Sequence, residues 1–214
     1  PTPSRADGSC DISIVEDSLK NLQENEYNGV VVIKSTVRPG TTVEMSKKYK
    51  SLEICFVPEF LRERCAVLDF IENHDLCVIG TNSEQVFAKV KEVHGSYPKR
   101  VKMLSPTEAE VVKYYNNIYN ATLITLANSF YEVCNSLDVN YSRIKSALVL
   151  RDHINDSYLQ CNDNFRGFGG VCLPKDTLAI AKLVEEKGLN VNFFKMILEE
   201  NKKYKITVYD GMRK

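Results

Sequence analysis

The sequence has no surplus of charge: 28 acidic residues balance 28 basic ones. That removes the broad electrostatic field on which binding to nucleic acid or an anionic membrane depends, and neither partner is expected. Long apolar runs are also missing. Nothing approaches the roughly 18 residues of a membrane span, and the opening Pro1-Thr2-Pro3-Ser4 lacks the basic and apolar pattern of a leader. A cytoplasmic chain is expected. Histidine is scarce, with only His74, His94 and His153, and these show no ligand spacing, so no metal site is expected. The seven cysteines (10, 55, 65, 77, 134, 161 and 172) are odd in number and form no Cys-x-x-Cys pair. A chain of 214 residues buries a core without covalent staples, so they read as reduced thiols, most of them small core residues. An initiator methionine is absent too. The Thr-Pro opening reads as the middle of something longer.

What is present falls into two zones. From Gly29 to Gly80 come short, continuous, β-branched runs: Val30-Val31-Val32-Ile33, Ile54-Cys55-Phe56-Val57 and Leu76-Cys77-Val78-Ile79. Apolar runs without alternation suit strands covered on both faces, as in a parallel sheet. Ile12 to Leu22 reads as a helix with Asp11 as its N-cap, and Val43 to Tyr49 as a crossover helix. Leu61 to Phe70 is ambiguous. Beyond Ser105 the period becomes helical. Ser105-Pro106-Thr107-Glu108 is a start signal: Ser105 as N-cap, Pro106 at the first helical position, Glu108 completing a capping box. Apolar residues then recur at three and four to about Cys134, which predicts one helix of roughly 30 residues, near 45 Å long. It is too apolar to be a lone surface helix and is read as the spine of a helical domain and of a dimer. A helix at Tyr141 to Leu148, an irregular stretch from Arg151 to Val171, a helix from Pro174 to Lys187 closed by Gly188, and a last helix from Asn192 complete the reading. The boundary is placed at 103/104, giving domains 1–103 and 104–214.

Four groups carry chemistry. Gly167, Gly169 and Gly170 precede Cys172, and Pro174 opens a helix just after it, so the thiol faces backbone N–H groups with Lys175 nearby, a setting that supports nucleophilic attack. A buried, inert thiol on a glycine turn is the competing reading. Lys113 and Asn117 stand four apart on the long helix beside Glu110 and Tyr114, where an ammonium and an amide aimed together would hold an oxyanion, unless they are simply a solvated face. Pro58-Glu59-Phe60-Leu61-Arg62-Glu63 follows a strand, at the end where parallel sheets bind ligands; a charged surface turn is the alternative. Lys34-Ser35-Thr36-Val37-Arg38-Pro39-Gly40-Thr41 ends the first strand in hydroxyls suited to a cofactor ribose or a water.

In order and spacing, Ser35-Thr36-Val37, Pro58 to Glu63, Ala109-Glu110-x-x-Lys113-x-x-x-Asn117 and Gly167 to Asp176 resemble the UDP-glucose and GDP-mannose dehydrogenases over nearly the whole chain. The resemblance implies an α/β plus all-α architecture. The first part would be the C-terminal portion of a Rossmann-like NAD domain, about three parallel strands with helices; the second, a helical 6-phosphogluconate-dehydrogenase-like domain. It implies NAD as cofactor and two oxidations of a nucleotide sugar, UDP-glucose foremost, from C6 alcohol to carboxylate. Cys172 would attack the aldehyde to give a thiohemiacetal and then a thioester. Lys113 and Asn117 would hold the oxyanion, and Thr36, Glu63 and Asp176 would position water and move protons. Thr2, Ser35, Thr36, Glu63 and Lys175 would lie on the cofactor side. Glu59, Phe60, Leu61, Phe165, Phe168 and Gly169 would line the substrate together with Lys113 and Asn117. The helix 106–134 would make a homodimer.

The departures are specific. The family's Gly-x-Gly-x-x-Gly loop and its acidic ribose-binding residue are not in the sequence, nor is its second Rossmann-like domain, which points to a central portion of such an enzyme. His153 stands where the family carries an arginine, Val171 replaces a serine, and Asp163-Asn164-Phe165-Arg166 differs from the usual Pro-Gly run. Two rival readings follow. One is a non-catalytic helical dimerisation remnant; the other is a member of the broader 6-phosphogluconate and hydroxyacid dehydrogenase group, against which Cys172 argues.

Overall fold

A computed structural model describes residues 2–62 and 65–204. The chain divides into two compact units, Pro1–Tyr115 and Asn116–Lys214.

The first unit alternates helix and strand: α1 (Ser13–Glu24), β1 (Val30–Ile33), α2 (Thr41–Lys48), β2 (Glu53–Phe56), α3 (Ala66–Ile71), β3 (Cys77–Gly80), α4 (Glu84–His94) and β4 (Val101–Leu104), then the start of α5 (Pro106–Ser136). The strands lie in the order β1-β2-β3-β4. The three apolar runs are three of these strands, and the reason shows in where their side chains go. Along β2 and β3, Ile54, Phe56 and Val78 join Leu19, Met45 and Tyr49 on one face. Cys55, Val57, Cys77 and Ile79 meet Val86 and Val90 of α4 on the other. Successive residues point to opposite faces, so a sheet covered on both needs an unbroken apolar run.

Two details differ from the expected three parallel strands. β1 pairs with β2 and β3 with β4 in parallel, but β2 meets β3 antiparallel, Phe56 opposite Gly80. An apolar run encodes burial, not direction; direction follows from the connection, and the one from β2 to β3 holds only the six-residue α3 in place of a long crossover helix. The fourth strand was not anticipated, because Lys102 interrupts its apolar pattern and its burial is partial. Nor was α4, whose start is marked by Ser83, its Oγ accepting from the Val86 N–H at 3.3 Å. Gly80 is where β3 touches the start of α5: a Cβ there would lie 2.6 Å from the Ala109 Cβ and 3.1 Å from the Pro106 Cα. The capping box forms as read. Glu108 Oε2 accepts from the Ser105 N–H at 2.8 Å and its Oγ–H at 2.6 Å. At α1 the helix starts at Ser13, with Ile12 in the cap position; Asp11 Oδ1 accepts from the Ser13 N–H at 3.0 Å, one step upstream of a cap.

The second unit contains the rest of α5, α6 (Tyr141–Leu148), α7 (Cys172–Glu186) and α8 (Phe193–Asn201). α6 matches its predicted span, and α5 runs two residues beyond Cys134. α7 begins at Cys172 rather than Pro174. Ala127, Cys134, Tyr141, Leu159 and Cys161 form a core on which Leu123 and Tyr131 also pack. Among the described residues no helix is long and apolar enough to cross a membrane.

Candidate functional site

In the first unit the chemistry gathers where β1 and β2 end. Thr36, half-buried, has its carbonyl held by the Thr2 hydroxyl at 2.6 Å and the Cys10 thiol at 3.3 Å. The loop's far end is fixed by Glu110. Its Oε2 accepts from the Gly40 N–H at 2.5 Å, and its Oε1 from the Thr42 N–H at 2.7 Å and the Thr42 hydroxyl at 2.6 Å. Gly40 has φ +98°, a left-handed angle that a side chain would strain. Glu110 is wholly buried, and burial pushes its carboxyl above the usual range against the opposing pull of these bonds. Sequence placed Glu110 beside Lys113 and Asn117; it serves instead as a cap for α2 supplied from α5.

At the end of β2, the Glu59 carboxylate pairs with Lys34 at 3.1 Å and accepts from the Leu61 N–H at 3.1 Å. Its carbonyl accepts from the Lys113 ammonium, which lies 5.8 Å from the centre of the Phe60 ring. Glu59, Phe60, Leu61 and Lys113 are thus brought together, with Lys34 as a partner that sequence reasoning missed. Glu63 lies outside the described residues. Next to it, Arg62 forks onto the buried Asp69 through Nε at 2.9 Å and a terminal nitrogen at 2.6 Å, and that guanidinium holds the carboxyl well below the usual range.

In the second unit Cys172 is the first residue of α7 and is exposed. The first N–H groups of a helix have no partner inside it and carry partial positive charge, and Cys172 stands at that end. One turn on, Asp176 is fully buried. Its Oδ2 accepts from the Asn117 amide and its Oδ1 from the Lys175 ammonium, both at 2.6 Å. Residues four apart share a helix face, so this row lies beneath the thiol. Lys175, expected on the cofactor side, directs its ammonium to Asp176. Elsewhere, burial pushes the Cys55 thiol up to about 12 and the Cys161 thiol up to about 11, which suits inert core residues.

The segment before Cys172 is pinned from two sides. Asn128 Oδ1, on α5, accepts from the Arg166 Nε at 2.8 Å, the Gly167 N–H at 3.0 Å and the Cys161 thiol at 3.4 Å. Asn201, at the end of α8, accepts from the Phe168 N–H at 2.7 Å and donates to its carbonyl at 2.8 Å. The Arg166 guanidinium stacks between Tyr131 and Tyr204, 4.7 and 5.2 Å from their ring centres. Gly167 and Gly170 take left-handed angles, φ +64° and +73°; Gly169 does not. Phe168 is buried and Phe165 half-buried. No local pattern marks Asn128 or Asn201, whose partners lie more than thirty residues away in sequence.

Comparison with known proteins gives matches over most of the chain. Residues 1–97 match the NAD binding domain of the UDP-glucose/GDP-mannose dehydrogenase family and residues 107–203 its central domain. The chain is 30% identical over 220 aligned positions to the UDP-glucose 6-dehydrogenase TuaD of Bacillus subtilis, covering 99% of this chain and 47% of that protein. It is 32% identical to the UDP-glucose 6-dehydrogenase of Rickettsia conorii, covering 94% and 47%. Among solved structures, a UDP-glucose dehydrogenase from Pyrobaculum islandicum superposes with a TM-score of 0.85 at 32% identity, over 94% of this chain and 48% of that one. The chain therefore spans about half the length of the curated relatives it matches.

Proposed function

The chain belongs to the UDP-glucose/GDP-mannose dehydrogenase family, and on that premise we propose that it carries the nucleophile of an NAD-dependent nucleotide-sugar 6-dehydrogenase, with UDP-glucose as the leading substrate. The observation that carries this reading is the row Asn117–Asp176–Lys175, with Asn117 and Asp176 buried, one helical turn along α7 from the exposed Cys172.

Each group has a task. The Cys172 sulfur adds to the C6 aldehyde carbon while the aldehyde oxygen takes up negative charge. The Asn117 amide stabilises that oxygen, and Asp176 orients the amide by accepting one of its two hydrogens. Lys175 holds Asp176 in place through its ammonium. The resemblance assigns Lys113 to the same oxyanion, and Thr36 and Glu63 to water and proton handling. Loss of hydride from the thiohemiacetal carbon leaves a thioester; water then adds to its carbonyl and the thiolate departs, giving the carboxylate and regenerating Cys172.

NAD would accept one hydride in each oxidation. The residues present fit its reactive side: the half-buried Ser35 and Thr36 stand where β1 ends, and Thr2 and Glu110 hold that loop in one shape, so the hydroxyls reach a bound group without the loop having to order first. Glu59, Phe60, Leu61, Phe165, Phe168 and Gly169 serve the sugar side. The homodimer is proposed through α5, where Tyr119, Leu126, Phe130 and Val133 are about half exposed at spacings of seven, four and three, one apolar stripe.

The test is turnover of UDP-glucose, and of GDP-mannose, with NAD in the complete reading frame. Cys172→Ala is expected to abolish carboxylate formation, a loss of about 10³-fold or more for removing a nucleophile. Equal rates in both forms refute the assignment, including its distinction from a non-catalytic remnant.

A further inference from the structure

We propose that Asn201 is a positioning residue for Cys172: it fixes the backbone of Phe168, and with it the glycine segment that delivers the thiol to the start of α7. The proposal rests on Cys172 being the nucleophile, as argued above.

Residues 161–171 form no helix or continuous strand, only isolated bridges at Asn162, Phe165 and Arg166. Such a segment with three glycines has many shapes available in solution. Contacts from elsewhere must fix its position, and two amides on α5 and α8 contribute to it. Asn128 holds the start, at Cys161, Arg166 and Gly167. Asn201 holds the end and satisfies both polar groups of one peptide position, the Phe168 N–H and its C=O. A side-chain amide pairing with both backbone groups of a residue imitates a neighbouring strand and fixes translation and tilt together. Between Phe168 and Cys172 only Gly169, Gly170 and Val171 intervene. Asn201 is itself buried at 6% exposure and sits on α8, which packs on α7. The clamp therefore ties the approach to the nucleophile to the helix that supports the nucleophile's own helix.

The expected consequence is specific to one thiol. A well-placed sulfur over the free N–H groups of α7 reacts faster than one on a frayed first turn. The experiment is the alkylation rate of each cysteine by iodoacetamide, read by peptide mass spectrometry in the full chain. Asn201→Leu, which removes both bonds, is expected to slow Cys172 by about threefold or more relative to Cys65, positioning losses of that size or larger being usual. Asn201→Asp, which keeps the acceptor for the Phe168 N–H and loses the donor to its carbonyl, falls between. Cys55, fully buried, stays protected in each, which separates lost positioning from lost folding. A Cys172 rate that is unchanged, faster or slowed by less overturns the proposal.

If neither variant folds, amide hydrogen exchange in the unaltered chain decides. The Phe168 amide is expected to be protected by about 100-fold or more over a free peptide, as for other locally stable groups; free-peptide exchange overturns the clamp. The alkylation rate needs no substrate. Turnover that survives Cys172→Ala, with alkylation still governed by Asn201, therefore sinks the functional reading and leaves the clamp standing.

Discussion

Asn128→Leu should unfold the second unit more readily by about 3 kcal/mol, a sum that can be followed bond by bond. Asn128 is 1% exposed, and leucine shares its branching but is bulkier, so no cavity opens and overpacking can only add to the loss. What disappears is an acceptor shared by three donors. The Gly167 N–H, itself buried, is left without its partner, at about 1–3 kcal/mol. The Arg166 Nε loses a charge-assisted bond of about 1.5 kcal/mol, although its guanidinium keeps Glu132 and two aromatic rings. The Cys161 thiol is a weak donor and adds little. Asn128→Asp is the informative contrast, since it preserves all three acceptor bonds, sets its added charge against the Arg166 guanidinium and loses the donor to the Ile124 carbonyl. It should cost about 1 kcal/mol or less. Urea unfolding followed by far-UV circular dichroism measures both. For Asn128→Leu the midpoint should fall with an unchanged slope, and the melting temperature of that unit by about 12–24 °C at 4–8 °C per kcal/mol. A leucine variant within about 1 kcal/mol of the parent, or an aspartate variant as damaged as the leucine one, would refute the reasoning.

Other consequences follow from the same geometry. Gly80→Ala places a methyl 2.6 Å from the Ala109 Cβ and against the backbone of Pro106, so the start of α5 must shift; thermal unfolding should show a loss of about 1–3 kcal/mol, and a neutral result contradicts the close approach. Asp176→Asn leaves the Lys175 ammonium without its counter-charge and sets two amides face to face. Melting should reveal about 3 kcal/mol of lost stability, together with loss of turnover. Asp69 has its carboxyl held low by Arg62, so the pair stabilises the fold above the ordinary carboxylate value and is lost as pH falls below about 4. The urea midpoints of the parent and of Asp69→Asn should therefore converge on acidification, and a gap that is constant from pH 7 to pH 3 removes the pair from the account.

How much of this was legible depends on the range of the interaction. Val30–Ile33 and Cys77–Gly80 were readable as strands because a doubly covered sheet writes its burial into consecutive residues. The Ser105 and Glu108 box was readable because both partners lie within one turn. The direction of β3 was not, since apolarity carries no sign, and β4 was hidden by Lys102. α7 was started two residues late, because Pro174 tolerates the third helical position as well as the first and nothing else marked the end. Cys172, Asn117 and Asp176 were found as motif residues. That Asp176 joins Asn117 to Lys175 needed the helices packed together. Glu110, Asn128 and Asn201 bond to groups 33 to 70 residues distant, and no local pattern reports such pairings.

The cap that Glu110 provides for α2 also sets an order of events in time. Gly40 and Thr42 leave the ribosome 70 and 68 residues before the carboxylate that completes them. At about 5–20 residues per second, that is roughly 4 to 14 s of synthesis. Through that interval their N–H groups are served by water, and the Thr36 to Gly40 loop is held by Thr2 and Cys10 at one end and by the Arg38–Thr41 turn, without the Glu110 carboxylate. The part of the first unit nearest the proposed cofactor thus acquires its shape late. A nascent chain halted before Glu110 should expose that loop to protease, and one released after it should not.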